Sequence, residues 1–429
     1  MQSDGNQKFS FQGFVVWGIC AVFFLYEFLL RTIIGTFQIP IMQDLGLNSF
    51  KFSILSTSMY LLIYGAMQIP VGLITDRYGL KKSLFCGSAI CALSAIGFAY
   101  TQQFSTALVY RIFTGLGSSF GFVCLLISVY EWMPRRHVAL LIGLSQLVGT
   151  LGPMIAAGPT TAIAHGTSIS WRDVFLFLGI FGIGLTVLIV FFVKECPQKQ
   201  GAFVVLRRPE RIKLHLKQLV FRFSPWTIAF YSALVYFSIE FLSENDGKIF
   251  LQLKGFGPIF SSFMLTIAWI GFAAGCPLAG FISDRIERRK GVMLALACVG
   301  LIAISVIVTS RNRTALIWAF FLLGIGASGQ SVGFALIAEH FKEGYLAVGL
   351  ALNNSMITVI SAINAPLIGL VLDSIKTTTH PTLVNYETVL SSLIVLGVGG
   401  VLLALFFIKE NFGKSTVDLT KLTPKRRAL

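Results

Sequence analysis

The stretch GLITDRYGLKK, residues 72–82, lies between two long apolar runs and contains one acid, three bases and two glycines. A second stretch of the same pattern, GFISDRIERRK, occupies residues 280–290, 208 positions later. Two apolar halves that carry one charged loop at the same relative place indicate an internal repeat. The second copy departs from the first at Glu287, which stands where the first copy has Gly79.

The composition of the chain predicts a membrane protein with many spans. Of its 429 residues, 55% are hydrophobic and 12% are charged, whereas soluble domains carry about 25% charged residues. The net charge of +15 lies in loops between apolar runs, so it indicates membrane topology and argues against a nucleic-acid partner. The seven cysteines show neither a metal-binding spacing nor a disulfide framework, and we predict no metal and no cofactor.

Twelve apolar stretches are long enough to cross a bilayer, because a helix needs about 20 residues to do so. Of the 34 lysines and arginines, 25 fall in segments on the side of the two termini. This asymmetry predicts that both termini are cytoplasmic, in a bacterial inner membrane. The predicted spans are 13–38, 53–75, 83–100, 105–131, 138–164, 172–193, 225–252, 259–283, 291–309, 314–339, 345–372 and 387–408.

Further matched positions extend the repeat beyond the charged loops. The triplet EFL occurs at residues 27–29 and again at 240–242. The pairs Glu131/Glu339 and Gln146/Asn354 share the offset of 208. The predicted domains are an N-terminal half, a basic cytoplasmic linker that lies on the membrane surface, a C-terminal half and a cytoplasmic tail, at 1–193, 194–224, 225–408 and 409–429.

The charged loop resembles the signature between spans 2 and 3 of the major facilitator superfamily, G-x-x-x-D-R-x-G-[RK]-[RK]. This resemblance implies an all-α membrane protein whose two pseudo-symmetric six-helix halves surround a central cavity. It also implies that acids and bases at the helix ends tie those ends together while the carrier faces outward, although these charges could instead only fix topology. The residues to which the resemblance gives this gating role are Gly72, Asp76, Arg77, Glu131, Asp284, Arg285 and Glu339.

Charged residues inside predicted spans mark a candidate transport site, because a charge at mid-membrane costs several kcal/mol. Span 1 contains Glu27 and Arg31, which are four residues apart and share one helix face. Span 7 contains Glu240 and Glu244 at the same spacing, and the repeat places Arg31 opposite Glu244. We predict that Arg31 and Glu244 bind substrate. The alternative is that Glu27 and Arg31 only neutralise each other within the bundle.

Glu240 has no basic neighbour within one helical turn of its own span. Burial disfavours the charged form of a lone carboxylate, which suits a group that takes up and releases a proton. We therefore predict that Glu240, and after it Glu27, couples transport to protons.

One further arginine and several uncharged polar or aromatic side chains complete the predicted substrate site. Arg111 opens a segment that resembles the superfamily's span 4 motif, R-x-x-x-G-x-G, and could bind an anionic substrate or instead bind backbone carbonyls in helix packing. The other candidates could each equally form a hydrogen bond between helices; they are Tyr60, Tyr64, Gln146 and Asn354.

The sequence contains neither a nucleotide-binding loop nor a catalytic constellation, so we predict no enzyme. Residues 26–31 and 67–72 resemble nutrient carriers of proteobacteria, including intracellular pathogens. We predict a monomeric secondary active transporter that imports a small polar nutrient with protons by alternating access, with an amino acid as the first candidate. The alternatives are a proton-driven exporter of a drug or siderophore, and a membrane protein that senses a ligand without transporting it.

Overall fold

A computed structural model of the chain describes residues 10–134, 138–167, 169–196, 223–340, 346–376 and 381–410. Most of the predicted linker, residues 197–222, and most of the predicted tail, residues 411–429, lie outside these described ranges. The side chain of Asp76, one of the predicted gating residues, also lies outside the described part of the structure.

The described ranges are built from helices and contain no β-strand, and twelve helices are long and apolar enough to cross a membrane. The prediction of an all-α protein with twelve spans is confirmed. The first six spans, numbered in chain order, consist of Phe11–Thr36; Ser49–Ser53, Ile54–Ser58 and Met59–Tyr78; Leu80–Ala99; Phe104–Trp132; Val138–Ala156 and Gly158–Thr167; and Trp171–Phe192.

The second six spans repeat this order. They consist of Phe223–Glu244; Pro258–Arg285; Arg289–Thr309; Arg313–Ala327 and Gly329–Glu339; Leu346–Ile375; and Leu383–Leu402 with Leu403–Phe407.

Span 7 is shorter than predicted. We expected one helix over 225–252, but the helix Phe223–Glu244 ends and a separate short helix, Gly247–Leu253, begins after Asn245 and Asp246. A Cβ on Gly247 would lie 2.3 Å from the Leu242 carbonyl oxygen, so a residue without a side chain permits this sharp turn. Span 1 likewise ends at Thr36 and is followed by the short helix Gln38–Leu45, which extends the internal repeat.

Each charged loop contains a residue with positive φ and leads into a helix whose first N–H groups are capped by a carboxylate. Gly79 has φ +94°, and the backbone N–H groups of Leu80 and Lys81 donate to the Glu195 carboxylate. In the second half, Glu287 has φ +53°, and the N–H groups of Arg289 and Lys290 donate to Glu410. The first turns of spans 3 and 9 are therefore capped in the same way, because a carboxylate satisfies the free N–H groups of a helix N-terminus.

Within the described ranges, the most extensive contacts between the two halves are those of span 1 with span 7, span 2 with span 11, and span 5 with span 8. We call the end of the bundle that carries residues 10 and 410 the terminal end, and the other end, where span 1 finishes at Thr36, the opposite end. Most of the described polar contacts between the halves lie at the opposite end or at the centre of the bundle. This arrangement places spans 1 and 7 face to face along the middle of the molecule.

Candidate functional site

Arg31 of span 1 lies between two glutamates of span 7. Its Nε donates to Glu244 Oε1 at 2.6 Å, and its guanidinium also forms an ion pair with Glu240. The Arg31 side chain is 10% exposed, and both glutamate side chains are fully buried. The predicted juxtaposition of Arg31 and Glu244 is therefore present. The expectation that Glu240 is a lone carboxylate is wrong, because its basic partner comes from the other half and not from its own helix.

Gly35 permits the close approach of these two spans. A Cβ at this position would lie 2.3 Å from the Ser243 carbonyl oxygen and 2.8 Å from the Glu244 carbonyl carbon. The turn of span 7 that carries Glu244 therefore packs directly against the backbone of span 1, one turn beyond Arg31.

Glu27 is buried one turn from Arg31 but has a different partner. The Tyr60 hydroxyl donates to Glu27 Oε2 at 3.0 Å, and a Cβ on Gly121 of span 4 would lie 2.9 Å from the Glu27 side chain. Tyr60 stacks on Tyr64 with 6.1 Å between ring centroids. Spans 1, 2 and 4 thus enclose this carboxyl group, while Arg31 turns towards span 7.

Arg111 is fully buried. Backbone carbonyls of spans 1 and 2 accept hydrogen bonds from its guanidinium group. Its nitrogens donate to the carbonyls of Leu55 and Ser56 at 3.1 and 2.6 Å, and to those of Leu30 and Arg31 at 3.0 and 3.4 Å. The Leu55 and Ser56 carbonyls belong to a π-helical turn, Ile54–Ser58, a rare conformation that is frequent at functional sites. This geometry favours the helix-packing role for Arg111, which fixes the backbone at Arg31.

Two hydroxyl residues of the same π-turn contact the end of span 7 and the residue that follows it, and neither was predicted from the sequence. Thr57 Oγ1 donates to Glu244 Oε2 at 3.2 Å, and Ser56 Oγ donates to Asn245 Oδ1 at 2.6 Å. The Asn245 amide in turn donates to Thr57 Oγ1 at 3.0 Å. Serine and threonine are frequent in membrane helices, so the sequence contained no signal that distinguished this pair.

The remaining predicted binding residues lie on spans 2, 5 and 11. Asn354 is half-buried next to Tyr64, so these two candidates come together across the interface between the halves. Gln146 is half-buried in span 5. Neighbouring Asn353 is fully buried, and neither polar atom of its side-chain amide has a hydrogen-bond partner within the described part of the chain.

Two predicted gating residues of the second half, Asp284 and Glu339, lie at the terminal end around Arg289, which was not among the predicted residues. Arg289 binds Asp284 at 2.6 Å and Glu339 at 2.9 Å, whereas Arg285 is exposed. Arg289 therefore takes the place in this cluster that the sequence motif suggested for Arg285. The cluster joins spans 8, 9 and 10 within one half.

In the first half, Gly72 is buried, and exposed Arg77 packs over the Tyr78 ring at 5.3 Å. Glu131 is half-buried near the end of span 4, and its backbone carbonyl accepts from Cys196 Sγ at 3.3 Å. The structure therefore places these residues at the terminal end, as predicted from the sequence, and their gating role remains a prediction.

At the opposite end, three charged residues of the second half bind uncharged groups of the first half; we call them the end cluster. Asp246 accepts from Gln38 Nε2 at 2.7 Å. Lys248 Nζ donates to the Thr36 carbonyl at 2.9 Å. Asp373 accepts from the backbone N–H groups of Ser49 and Phe50 at 3.4 and 2.9 Å.

Known proteins match most of the chain. The chain is 23% identical to a probable sulfoacetate transporter of Cupriavidus necator over 65% of its own length and 66% of that protein. It is 27% identical to a hexuronate transporter of Bacillus subtilis over 59% of its length and 61% of that protein. The chain thus aligns with slightly less than two thirds of each of these curated relatives.

Solved structures show the same fold at low sequence identity. A bacterial homologue of the human lysosomal transporter Spinster superposes with a TM-score of 0.73 at 15% identity, over 92% of this chain and 97% of that one. A D-xylose–proton symporter also superposes with a TM-score of 0.73 at 15% identity, over 94% of this chain and 99% of that one. The family model of the Major Facilitator Superfamily matches residues 19–245 and 248–428. Because this match covers nearly the whole chain, the protein belongs to the Major Facilitator Superfamily.

Proposed function

We propose that the protein is a secondary transporter that carries a small organic carboxylate together with a proton. The observation that carries this proposal is the buried group in which Arg31 is held between Glu240 and Glu244. One base faces two acids there, and each half of the molecule contributes to the group. Such a group binds an anion only if one glutamate breaks its ion pair with Arg31.

The exchange of partners at Arg31 links the substrate to the proton. A substrate carboxylate that binds the guanidinium replaces Glu240, and Glu240 then lacks a counter-charge in a buried environment. An isolated ionised carboxylate is strongly disfavoured there, so it takes up a proton. Glu27, which accepts from Tyr60, is the second group that could hold a proton on the same side of the site.

The names of the relatives support an anionic substrate. Sulfoacetate and hexuronate, which two relatives are named for, both carry a carboxylate that suits a guanidinium. An amino acid, our first candidate from the sequence, shares this carboxylate and adds an ammonium group, for which Glu244 is the available acid. We therefore propose the carboxylate as the common recognised group and let the assay separate sugar acids from amino acids.

Uptake into proteoliposomes tests this proposal. The purified protein is offered a pool of sugar acids, sulfonated and hydroxylated carboxylates and amino acids, with and without an inward proton gradient. We expect one carboxylate to accumulate only with the gradient. Accumulation of hydrophobic cations in the reverse direction would favour an exporter, and binding of a ligand without flux would favour a sensor; either result contradicts the proposal.

Variants at the central group separate binding from coupling. We expect Glu240→Gln to retain substrate exchange between equal compartments but to lose accumulation driven by the proton gradient. Arg31→Lys keeps the charge but loses the two-pronged geometry, and we expect it to weaken substrate binding roughly tenfold, the factor that about 1.4 kcal/mol of lost hydrogen bonding gives. Glu387→Gln, a half-buried acid on span 12, is the matched control and should transport normally.

A further inference from the structure

Asp246 is a buried carboxylate in the end cluster, outside span 7, which ends at Glu244. The residue is 1% exposed. Its Oδ1 accepts from Gln38 Nε2 of the first half at 2.7 Å and from the Tyr386 hydroxyl of span 12 at 3.3 Å. Two neutral donors therefore hold this carboxylate at the contact between the halves.

The charged groups that surround Asp246 do not neutralise it. Lys248, on the short helix that follows, donates to the Thr36 carbonyl. Lys376 pairs with Asp373 at the end of span 11, and the negative charge of Asp373 acts on Asp246 unfavourably. Within the described ranges, no ion pair joins Asp246 to a basic side chain, and the short helix Gln38–Leu45 contributes only the neutral Gln38 amide.

Burial without a counter-charge disfavours an ionised carboxyl group. Desolvation raises the pKa of Asp246 to about 6, although the donors Gln38 and Tyr386 act in the opposite direction and Asp373 adds to the increase. When the halves separate at this end, Asp246 loses its contact with Gln38 and meets water, and its pKa falls towards the ordinary value of about 4. The closed arrangement therefore binds a proton more tightly than the open one.

We propose that Asp246 is a proton-binding site, separate from the central group, and that closure of the opposite end takes up a proton there. The proton adds to the carboxylate and forms a neutral carboxyl group, so no other reactant is required.

A group whose pKa is raised in the closed state stabilises that state as the pH falls. This stabilisation of the closed state begins near pH 6 and is complete near pH 4. Between pH 7.5 and pH 5 the ratio of closed to open molecules rises roughly tenfold, since each pKa unit gives a factor of ten.

Distance measurement between the halves tests this site without any transport assay. Gly166 and Gly257 are exposed at the opposite end, one in each half, and a Cβ at either position meets no atom within 4 Å. Nitroxide labels are attached to cysteines at these positions in a folded variant without native cysteines. Pulsed electron–electron double resonance then reports the distance between the two labels. We expect the short-distance population to grow as the pH falls from 7.5 to 5.

Three variants assign this response to one residue. Asp246→Asn, a neutral mimic of the protonated group, should be closed at both pH values and lose the pH response. Asp373→Asn should keep the response with its midpoint at lower pH, because a neighbouring negative charge is removed. Tyr386→Phe should move the midpoint to higher pH, because the carboxylate loses a donor. A wild-type protein with no pH response, or an Asp246→Asn variant that retains it, would overturn the proposal.

Discussion

At the residue scale, the geometry of the central site depends on a glycine. Gly35 lies against the Ser243 and Glu244 backbone, with no room for a Cβ. We expect Gly35→Ala to push span 7 away from span 1, lengthen the Arg31–Glu244 contact and lower transport, since overpacking costs about 1–3 kcal/mol. Uptake and thermal unfolding of the purified protein measure both effects.

Gly18→Ala is the control for this prediction. Gly18 lies on the same helix, and a Cβ there meets no atom within 4 Å. Alanine also favours a helix by up to about 1 kcal/mol over glycine, so this variant should keep its activity and unfold at the same or a higher temperature. Equal activity of the two alanine variants would contradict the role given to Gly35.

A second residue-scale prediction concerns Glu287. It is the non-glycine residue with positive φ, +53°, in the described ranges, and it occupies the repeat position of Gly79. A left-handed backbone costs a non-glycine residue roughly 1–2 kcal/mol. We expect Glu287→Gly to raise the unfolding temperature. Arg288→Gly, at φ −141°, should lower it, and a decrease in both variants would contradict this explanation.

At the scale of single elements, the first turn of span 2 is capped from two sides. Asn48, its own N-cap residue, accepts from the Lys51 N–H at 2.9 Å. Asp373 of the other half accepts from the N–H groups of Ser49 and Phe50. One cap therefore stabilises the helix alone, whereas the other also joins the two halves at the opposite end.

The two caps of span 2 have separable effects. We expect Asp373→Asn to shift the distance between labels at Gly166 and Gly257 towards the open state, roughly tenfold in population, because hydrogen bonds to a charged group contribute about 1.5–3 kcal/mol. Asn48→Ala should lower the unfolding temperature without changing this distance. The prediction fails if both variants give the same distance distribution.

At the scale of the whole molecule, the described ion pairs and polar contacts between the halves lie at the centre or the opposite end, as in Arg31–Glu240 and the end cluster. The group of Arg289, Asp284 and Glu339 in the second half instead joins helices within that half. Transport by alternating access requires the end cluster to break and contacts at the terminal end to form.

The placement of positive charge also gives a whole-molecule prediction of topology. We expect both termini to be cytoplasmic, because 25 of the 34 lysines and arginines lie on their side of the predicted spans. A fluorescent protein fused after Leu429 should fluoresce, and alkaline phosphatase inserted at Gly255, in a loop at the opposite end, should be active. Phosphatase activity from a fusion after Leu429 would show the reverse orientation.

Some contacts of the central site follow from the order of residues along the chain, and others do not. The pairing of Arg31 with Glu244 could be predicted, because both lie at repeat-related positions of two spans that face each other. The partner of Glu240 could not be predicted, because Arg31 belongs to the other half and forms ion pairs with two acids at once. The acceptors of Arg111 also depend on a π-turn in span 2, and no sequence pattern predicted that turn.

The sequence by itself determined the class, the twelve spans and the internal repeat, because apolar length and the spacing of charged loops are properties of the chain in order. The tertiary structure decided which base meets which acid, as at Arg289, and where span 7 breaks, as at Asp246. It also decided that Thr57 contacts Glu244 of span 7 and that Ser56 contacts the next residue, Asn245. Contacts between helices depend on rotation and close approach to within a few tenths of an ångström, which glycines such as Gly35 permit and which periodicity along one helix does not specify.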